Sequence, residues 1–256
     1  TTIPYDDYLD GETPDFLWLD RVLGDSGSGV DKPAAIIVET VQGEGGLRAA
    51  RPEWLRGLAR LCATHGVLLI VDDVQAGCGR TGTFFSFEEA GIVPDIVCVS
   101  KSISGYGLPM ALTMFKPELD QWAPGEHNGT FRGHNPAFVT AKAAIEEYWA
   151  TPELQKHVQH ISQVLYDQLE EIAIRTDATV RGRGLLTGLL FTDPEHASQI
   201  AAECYAHGLL VETSGPEDEV VKIMPSLTIS EEDLREGLDI LGEAAAKVVR
   251  SELATV

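Results

Sequence analysis

No stretch of the sequence approaches the ~20 consecutive apolar residues that a helix needs to cross a bilayer, although apolar residues make up 44% of the chain. This predicts a soluble, cytoplasmic protein with ample material for a core and no membrane partner. Basic residues are scarce: 19 Lys and Arg stand against 40 Asp and Glu, for a net charge of -21. Such a surface repels phosphate backbones and argues against a nucleic-acid partner. Cysteines are few and scattered, at Cys62, Cys78, Cys98 and Cys204, with no CxxC pair. That disfavours a disulfide scaffold and a zinc site, and predicts reduced core thiols and no metal. Internal repeats and low-complexity tracts are absent. No GxGxxG follows the first predicted strand, which counts against a plain nucleotide-binding domain. No signal-peptide pattern is visible, and the chain opens on Thr1-Thr2-Ile3-Pro4 without Met.

What is present is an alternation of buried strands and helices. Residues 1–31 read as a lead-in with one helix-like patch at Asp15 to Leu23. Ala34 to Thr40 is the first apolar strand, Gln42 to Gly46 a turn, and Pro52 to His65 a helix with proline in its first turn and Gly66 as its stop. Val67 to Asp73 and Ile96 to Ser100 are two further strands of a parallel sheet. Met110 to Phe115 follows after a loop too short for a parallel crossover, and is expected to run antiparallel. Asn135-Pro136 and Thr151-Pro152 each read as a cap followed by proline, opening helices to about Ala150 and Arg175. Beyond them, Thr179 to Thr192 reads as one bent strand and Asp193-Pro194 as a capped helix start. Leu209 to Ser214 and Val220 to Met224 are short strands, and Ser230 to Asp233 is a capping box before a last helix. The expected organisation is an α/β domain over 1–150 and a smaller α+β domain over 151–256.

Two residues carry the chemistry. Lys101 follows directly on a strand and enters a loop containing Gly105, Gly107 and Pro109. Ligands of open α/β sheets sit at that edge. Two readings stand side by side: a lysine that ends a strand and reaches water, or an amine that forms a Schiff base with an aldehyde. Asp72 ends the preceding strand and is placed to keep a ring nitrogen protonated. Together they describe a site for pyridoxal 5'-phosphate, whose aldehyde and pyridine nitrogen need such a pair. Asp73 is expected to point the other way and is given no role.

The segments VETVQGEGG (38–46), VDDVQAGCGRTG (71–82), PDIVCVSKSISGYGLP (94–109) and GEHNGTFRGHNP (125–136) resemble the class III aminotransferases of fold type I. Their wording, with Thr40 where many relatives have proline, is most similar to the branch that makes diaminobutyrate in ectoine biosynthesis. The resemblance implies an enzyme that moves the amino group of L-glutamate to L-aspartate 4-semialdehyde, giving L-2,4-diaminobutyrate and 2-oxoglutarate. It implies Lys101 as the Schiff-base lysine, Asp72 on the pyridine nitrogen and Gln75 on the phenolic oxygen of the cofactor. Thr130 is implied to reach the phosphate of a cofactor held by a partner subunit, hence a homodimer or higher homo-oligomer. Glu39 and Glu44 are implied to line the substrate side.

Two departures from the family pattern stand out. Lys222, in VVKIMP, occupies the place of the arginine that holds the α-carboxylate of glutamate, and a lysine lacks the bidentate fork. The family's early segment, with its phosphate-cradling helix start and ring-stacking aromatic, has no counterpart in these residues. The same motifs leave open another ω-aminotransferase acting on acetylornithine, ornithine or 4-aminobutyrate, an aminomutase, or a silent subunit that associates with a complete one.

Overall fold

The computed structural model describes residues 1–6, 16–105, 107–130 and 132–253. They fall into two compact units. The first comprises 1–40, 50–78 and 85–151; the second comprises 41–49, 79–84 and the chain from 152 onward.

In the first unit a short helix, α1 (Leu17–Gly24), precedes strand β1 (Ala35–Val38); the expected helix start at Asp15 lies outside the described residues. Pro52 opens α2 (Pro52–His65), where its missing N–H has no intrahelical partner to lose. Gly66 closes α2 in the left-handed conformation, at φ 61°. The helix buries Trp54, Leu55, Leu58, Leu61 and Cys62, the stripe expected of a 3.6-residue period. Each large apolar side chain so buried contributes about 1.5–3 kcal/mol. Strand β2 (Leu68–Asp72) pairs parallel with β1, and β3 (Ile96–Val99) parallel with β2. Strand β4 (Leu112–Phe115) returns antiparallel to β3, as its short connection requires. The sheet order is β1-β2-β3-β4, and helix α3 (Asn135–Tyr148) follows.

The expected caps at Asn135 and Thr151 are not made. Asn135 is already helical, and His134 takes the cap position without a side-chain hydrogen bond. Helix α4 (Glu153–Thr176) of the second unit has Pro152 at its cap, again with no side-chain bond. The prolines set φ for a first turn, so neither helix depends on a capping oxygen.

In the second unit the segment expected to be one bent strand is a hairpin. Strands β5 (Thr179–Arg183) and β6 (Leu186–Leu190) pair antiparallel, with Arg183 opposite Leu186. The turn needs Gly184: its φ is 65°, and a Cβ there would lie 2.7 Å from the Arg80 carbonyl oxygen. Helix α5 (Pro194–Ala206) is capped as expected, with Asp193 Oδ1 accepting from Glu195 N at 3.0 Å. Strands β7 (Glu212–Ser214) and β8 (Val220–Ile223) complete an antiparallel sheet of order β5-β6-β8-β7. Helix α6 (Glu231–Leu253) starts at the expected box: Ser230 Oγ accepts from Asp233 N at 3.0 Å and donates to Asp233 Oδ2 at 2.6 Å. Leu165 and Leu169 of α4, Ile200 of α5 and Leu238 and Leu241 of α6 close over Leu189 and Val221 of the sheet as one apolar core. No described helix is long and apolar enough to cross a membrane.

Candidate active site

Strands β2 and β3 finish side by side. Asp72, the last residue of β2, stands opposite Cys98 of β3. The chain leaves β3 at Val99, passes Ser100, and turns at Lys101 into a single 3₁₀ turn (Lys101–Ser104). Lys101 sits at φ 51°, a left-handed conformation that costs a non-glycine residue about 1–3 kcal/mol and persists only where its surroundings hold it. Ser100 Oγ donates to the Met110 carbonyl at 2.7 Å and Ser104 Oγ to the Leu108 carbonyl, pinning the loop at two points. Gly105 lies at φ 81° against α3, where a Cβ would come within 3.0 Å of Ala144 Cβ.

Of the two readings for Lys101, the structure makes it an exposed residue rather than an enclosed one. It sits in the turn, beyond the strand's apolar surroundings. It lines a cleft of about 640 Å³ together with Ser104, Arg132, His134 and Phe138. Arg132 donates to the His127 carbonyl. Lys101 Nζ has no ion-pair or hydrogen-bond partner among the described residues. Tyr106 of the lysine loop and Phe131 lie outside the described residues.

Asp72 is half-buried, and its Oδ1 accepts from Val74 N at 3.1 Å. Alternation turns Asp73 to the opposite side, as expected, but Asp73 is far from idle. It is 1% exposed. Its carboxylate accepts from Ser86 N at 3.1 Å and from Ser86 Oγ, and Thr40 Oγ1 donates to Ser86 Oγ at 2.5 Å. Gln75 is half-buried in the following turn, with its Oε1 buried. Glu39 is half-buried just after β1, its carbonyl accepting from Tyr5 Oη at 2.8 Å. Thr130 is exposed in the loop before α3 and is not part of the cleft wall, whereas Arg132 and His134, to which the sequence reading gave no role, are. Both lie within the GTFRGHNP segment, which was their only signal.

The second unit holds a separate cluster. Lys222 of β8 is 4% exposed. Its Nζ lies 3.0 Å from Glu44 Oε1 and 3.1 Å from Glu212 Oε2. Burial pulls its pKa down, but the hydrogen bonds to Glu44 and Glu212 outweigh that and leave it above its ordinary value. The pairing of Lys222 with Glu44 joins two residues singled out from the sequence; Glu212 was not among them. Among the described residues no group of three or more His, Cys, Asp or Glu side chains is arranged to hold a metal.

Residues 26–245 match the family described as aminotransferase class-III. The chain is 60% identical over 249 residues to a diaminobutyrate–2-oxoglutarate transaminase of Streptomyces avermitilis, covering 95% of this chain and 59% of the relative. A protein of the same name from Nocardia farcinica is 58% identical over 240 residues, 93% of this chain and 55% of the relative. The chain thus spans under two thirds of the length of the curated relatives it matches. Among solved structures, the acetylornithine aminotransferase of Elizabethkingia anophelis superposes with a TM-score of 0.81 at 28% identity, covering 96% of this chain and 59% of that one. The N-acetylornithine aminotransferase of Stenotrophomonas maltophilia does so with a TM-score of 0.75 at 33% identity, covering 85% and 57%. These neighbours carry the same α/β architecture, that of fold type I. The chain belongs to the class-III aminotransferase family.

Proposed function

We propose that this chain serves a pyridoxal 5'-phosphate-dependent transamination in which L-glutamate gives its amino group to L-aspartate 4-semialdehyde, yielding L-2,4-diaminobutyrate and 2-oxoglutarate, a reaction of ectoine biosynthesis. The observation that carries the reading is that Asp72 ends β2 and Lys101 follows the end of the adjoining parallel strand β3, although Asp72 is not part of the wall of the cleft that Lys101 lines. These residues fit the cofactor. Asp72 Oδ2 receives no hydrogen bond among the described residues and can accept one from a pyridine N–H. The Lys101 amine is unpaired on a cleft wall, where an aldehyde can reach it.

When bound, the cofactor supplies an electron sink for the amine-bearing carbon of the substrate. Asp72 keeps the ring nitrogen protonated by the attraction of its charge. Lys101 Nζ would hold the aldehyde and move a proton at the amine-bearing carbon of the substrate. Gln75 steadies the phenolic oxygen. Thr130, exposed ahead of α3, is assigned to the phosphate of a cofactor in the second subunit of a cytoplasmic homodimer. Glu39, Glu44 and Lys222 are assigned to the substrate.

The choice of acceptor rests on relatives named for diaminobutyrate at 60% and 58% identity. Solved neighbours named for acetylornithine, at 33% and 28% identity, favour the second reading, another ω-aminotransferase. The test is a panel of amino donors with aspartate semialdehyde as acceptor, on the full-length protein. Visible absorbance of the loaded protein and its loss together with turnover in Lys101→Ala support the proposal; full activity in that variant ends it.

A further inference from the structure

We propose that Arg80 is a positioning residue for substrate binding: its buried guanidinium closes the open end of the β6–β8 ladder and thereby fixes the part of β8 that carries Lys222. The inference rests on the transamination reading, in which Lys222 is assigned to the substrate, and deepens it. Arg80 belongs to the GRTG end of the 71–82 motif, to which the sequence reading gave no role.

Arg80 is 9% exposed. It forms no ion pair among the described residues, and burial pulls its pKa down to about 10 with no acid to offset the shift. A buried ion without a counter-charge is a poor source of stability. Its bonds are instead directed at backbone. Arg80 Nη1 donates to the Leu185 carbonyl at 3.2 Å and to the Pro225 carbonyl at 2.5 Å, one hydrogen for each. The Arg80 carbonyl in turn accepts from Leu185 N at 2.8 Å.

The two carbonyls mark the end of a ladder. The register of β6 and β8 stops at Thr187 opposite Ile223. Two residues further out on each strand come Leu185 and Pro225, and proline has no N–H with which to extend the pairing. On the other side of β8, strand β7 begins at Glu212 opposite Lys222. Past Lys222, therefore, β8 has a strand neighbour only on the β6 side. Arg80 supplies the donors that the ladder lacks and holds the chain three residues beyond Lys222. Without it, the end of β8 is free to separate from β6, and the lysine loses its fixed place.

The experiment uses the full-length, cofactor-loaded enzyme, with glutarate, a dicarboxylate without an amine, as the binding probe in calorimetry. Arg80→Met removes every donor and keeps much of the volume. The Kd of glutarate and the KM for glutamate are expected to rise roughly fivefold or more, the scale of coupling between residues in one network, while kcat stays within about twofold. Arg80→Lys keeps a charge and donors and is expected to fall between Arg80→Met and wild type; it carries the test if Arg80→Met does not fold. In a Lys222→Met background the same Arg80 substitutions are expected to move neither constant further, because a clip acting through Lys222 then has nothing to place. Unmoved binding, a loss confined to kcat, or an equal rise with and without Lys222 overturns the clip and leaves the transaminase reading in place. Failure of both Arg80 variants to fold also overturns it, by making Arg80 a requirement of folding alone. A wild-type enzyme that does not turn over glutamate overturns both.

Discussion

Ser86 donates its backbone N–H, at 3.1 Å, and its hydroxyl to the buried carboxylate of Asp73. The same hydroxyl oxygen receives Thr40 Oγ1 at 2.5 Å. This chain of hydrogen bonds joins the carboxyl ends of β1 and β2 beneath the turn that carries Asp72 and Gln75. Buried, charge-assisted bonds are among the stronger individual contributions to stability. Asp73→Ala is expected to destabilise the protein by about 2–4 kcal/mol, because it leaves buried donors without an acceptor. Denaturant unfolding measures this. A loss no larger than that of an exposed Asp→Ala control would mean the network contributes little.

Gly77 belongs to the same arrangement. A Cβ there would lie 2.6 Å from Asp73 Oδ2 and 2.7 Å from the Asp73 carbonyl oxygen. No rotamer change relieves a clash with backbone. Gly77→Ala is therefore expected to cost about 1–3 kcal/mol and to displace the Asp72–Gln75 turn, seen as weaker cofactor retention through gel filtration.

Lys101 is held in a backbone conformation that a side chain disfavours. Its left-handed backbone, at φ 51°, suits glycine better than any residue with a Cβ. Lys101→Gly is expected to be more stable than Lys101→Ala by about 1 kcal/mol, with both inactive. Equal unfolding midpoints in the two variants would show that the loop bears no strain at this position.

Asp95 sets an acid limit on the sheet. Its Oδ2 accepts from Leu69 N at 2.8 Å and its Oδ1 from Lys116 Nζ at 2.7 Å, linking β2 and β4 to the start of β3. Burial opposes its charge, but Lys116 and the Leu69 N–H together hold its pKa below the usual carboxylate value. A depressed carboxylate contributes stability that is fully present above the unfolded value and is lost as pH falls through the folded one. Stability should thus drop below about pH 4, and Asp95→Asn should flatten that drop. An identical acid profile in the variant would assign the loss to other carboxylates.

The first unit was readable because its signals are local. Pro52 and Gly66 bracket α2, β-branched runs mark β1 to β3, and the short loop before β4 allows only an antiparallel return. The β5–β6 hairpin was hidden because β6 is buried on nearly every residue, so its run LTGLL shows no alternation and joins the preceding strand without a visible break. The expectations for the site came from strand ends, at Asp72 and Lys101, and from the resemblance, at Glu44 and Lys222, and the structure does bring Lys222 to Glu44 at 3.0 Å. Partners distant in sequence left no such trace. Ser86 lies 13 residues from Asp73. Glu212 reaches Lys222 only through the β7–β8 register, which no pattern of residue types fixes until both strands are in place.

Lys222 offers the sharpest separation of stability from binding. Removing a buried cation is severe when its partner is buried too, because the partner is left charged and dry. Here both partners are largely in water, at 75% and 71% exposure, so they can be solvated once the ammonium is gone. The lysine stem also lies beside apolar side chains, Leu209, Val211 and Leu238, at a small cavity of about 170 Å³. A methionine fills the volume of that stem. Lys222→Met is therefore expected to cost less than about 1 kcal/mol in unfolding. It should raise the KM for glutamate by about tenfold or more, equivalent to about 1.4 kcal/mol of lost carboxylate binding. Lys222→Arg restores a cation and should recover much of that affinity. An unchanged KM in Lys222→Met would remove Lys222 from the substrate site and leave its pairing with Glu44 and Glu212 a matter of strand packing alone.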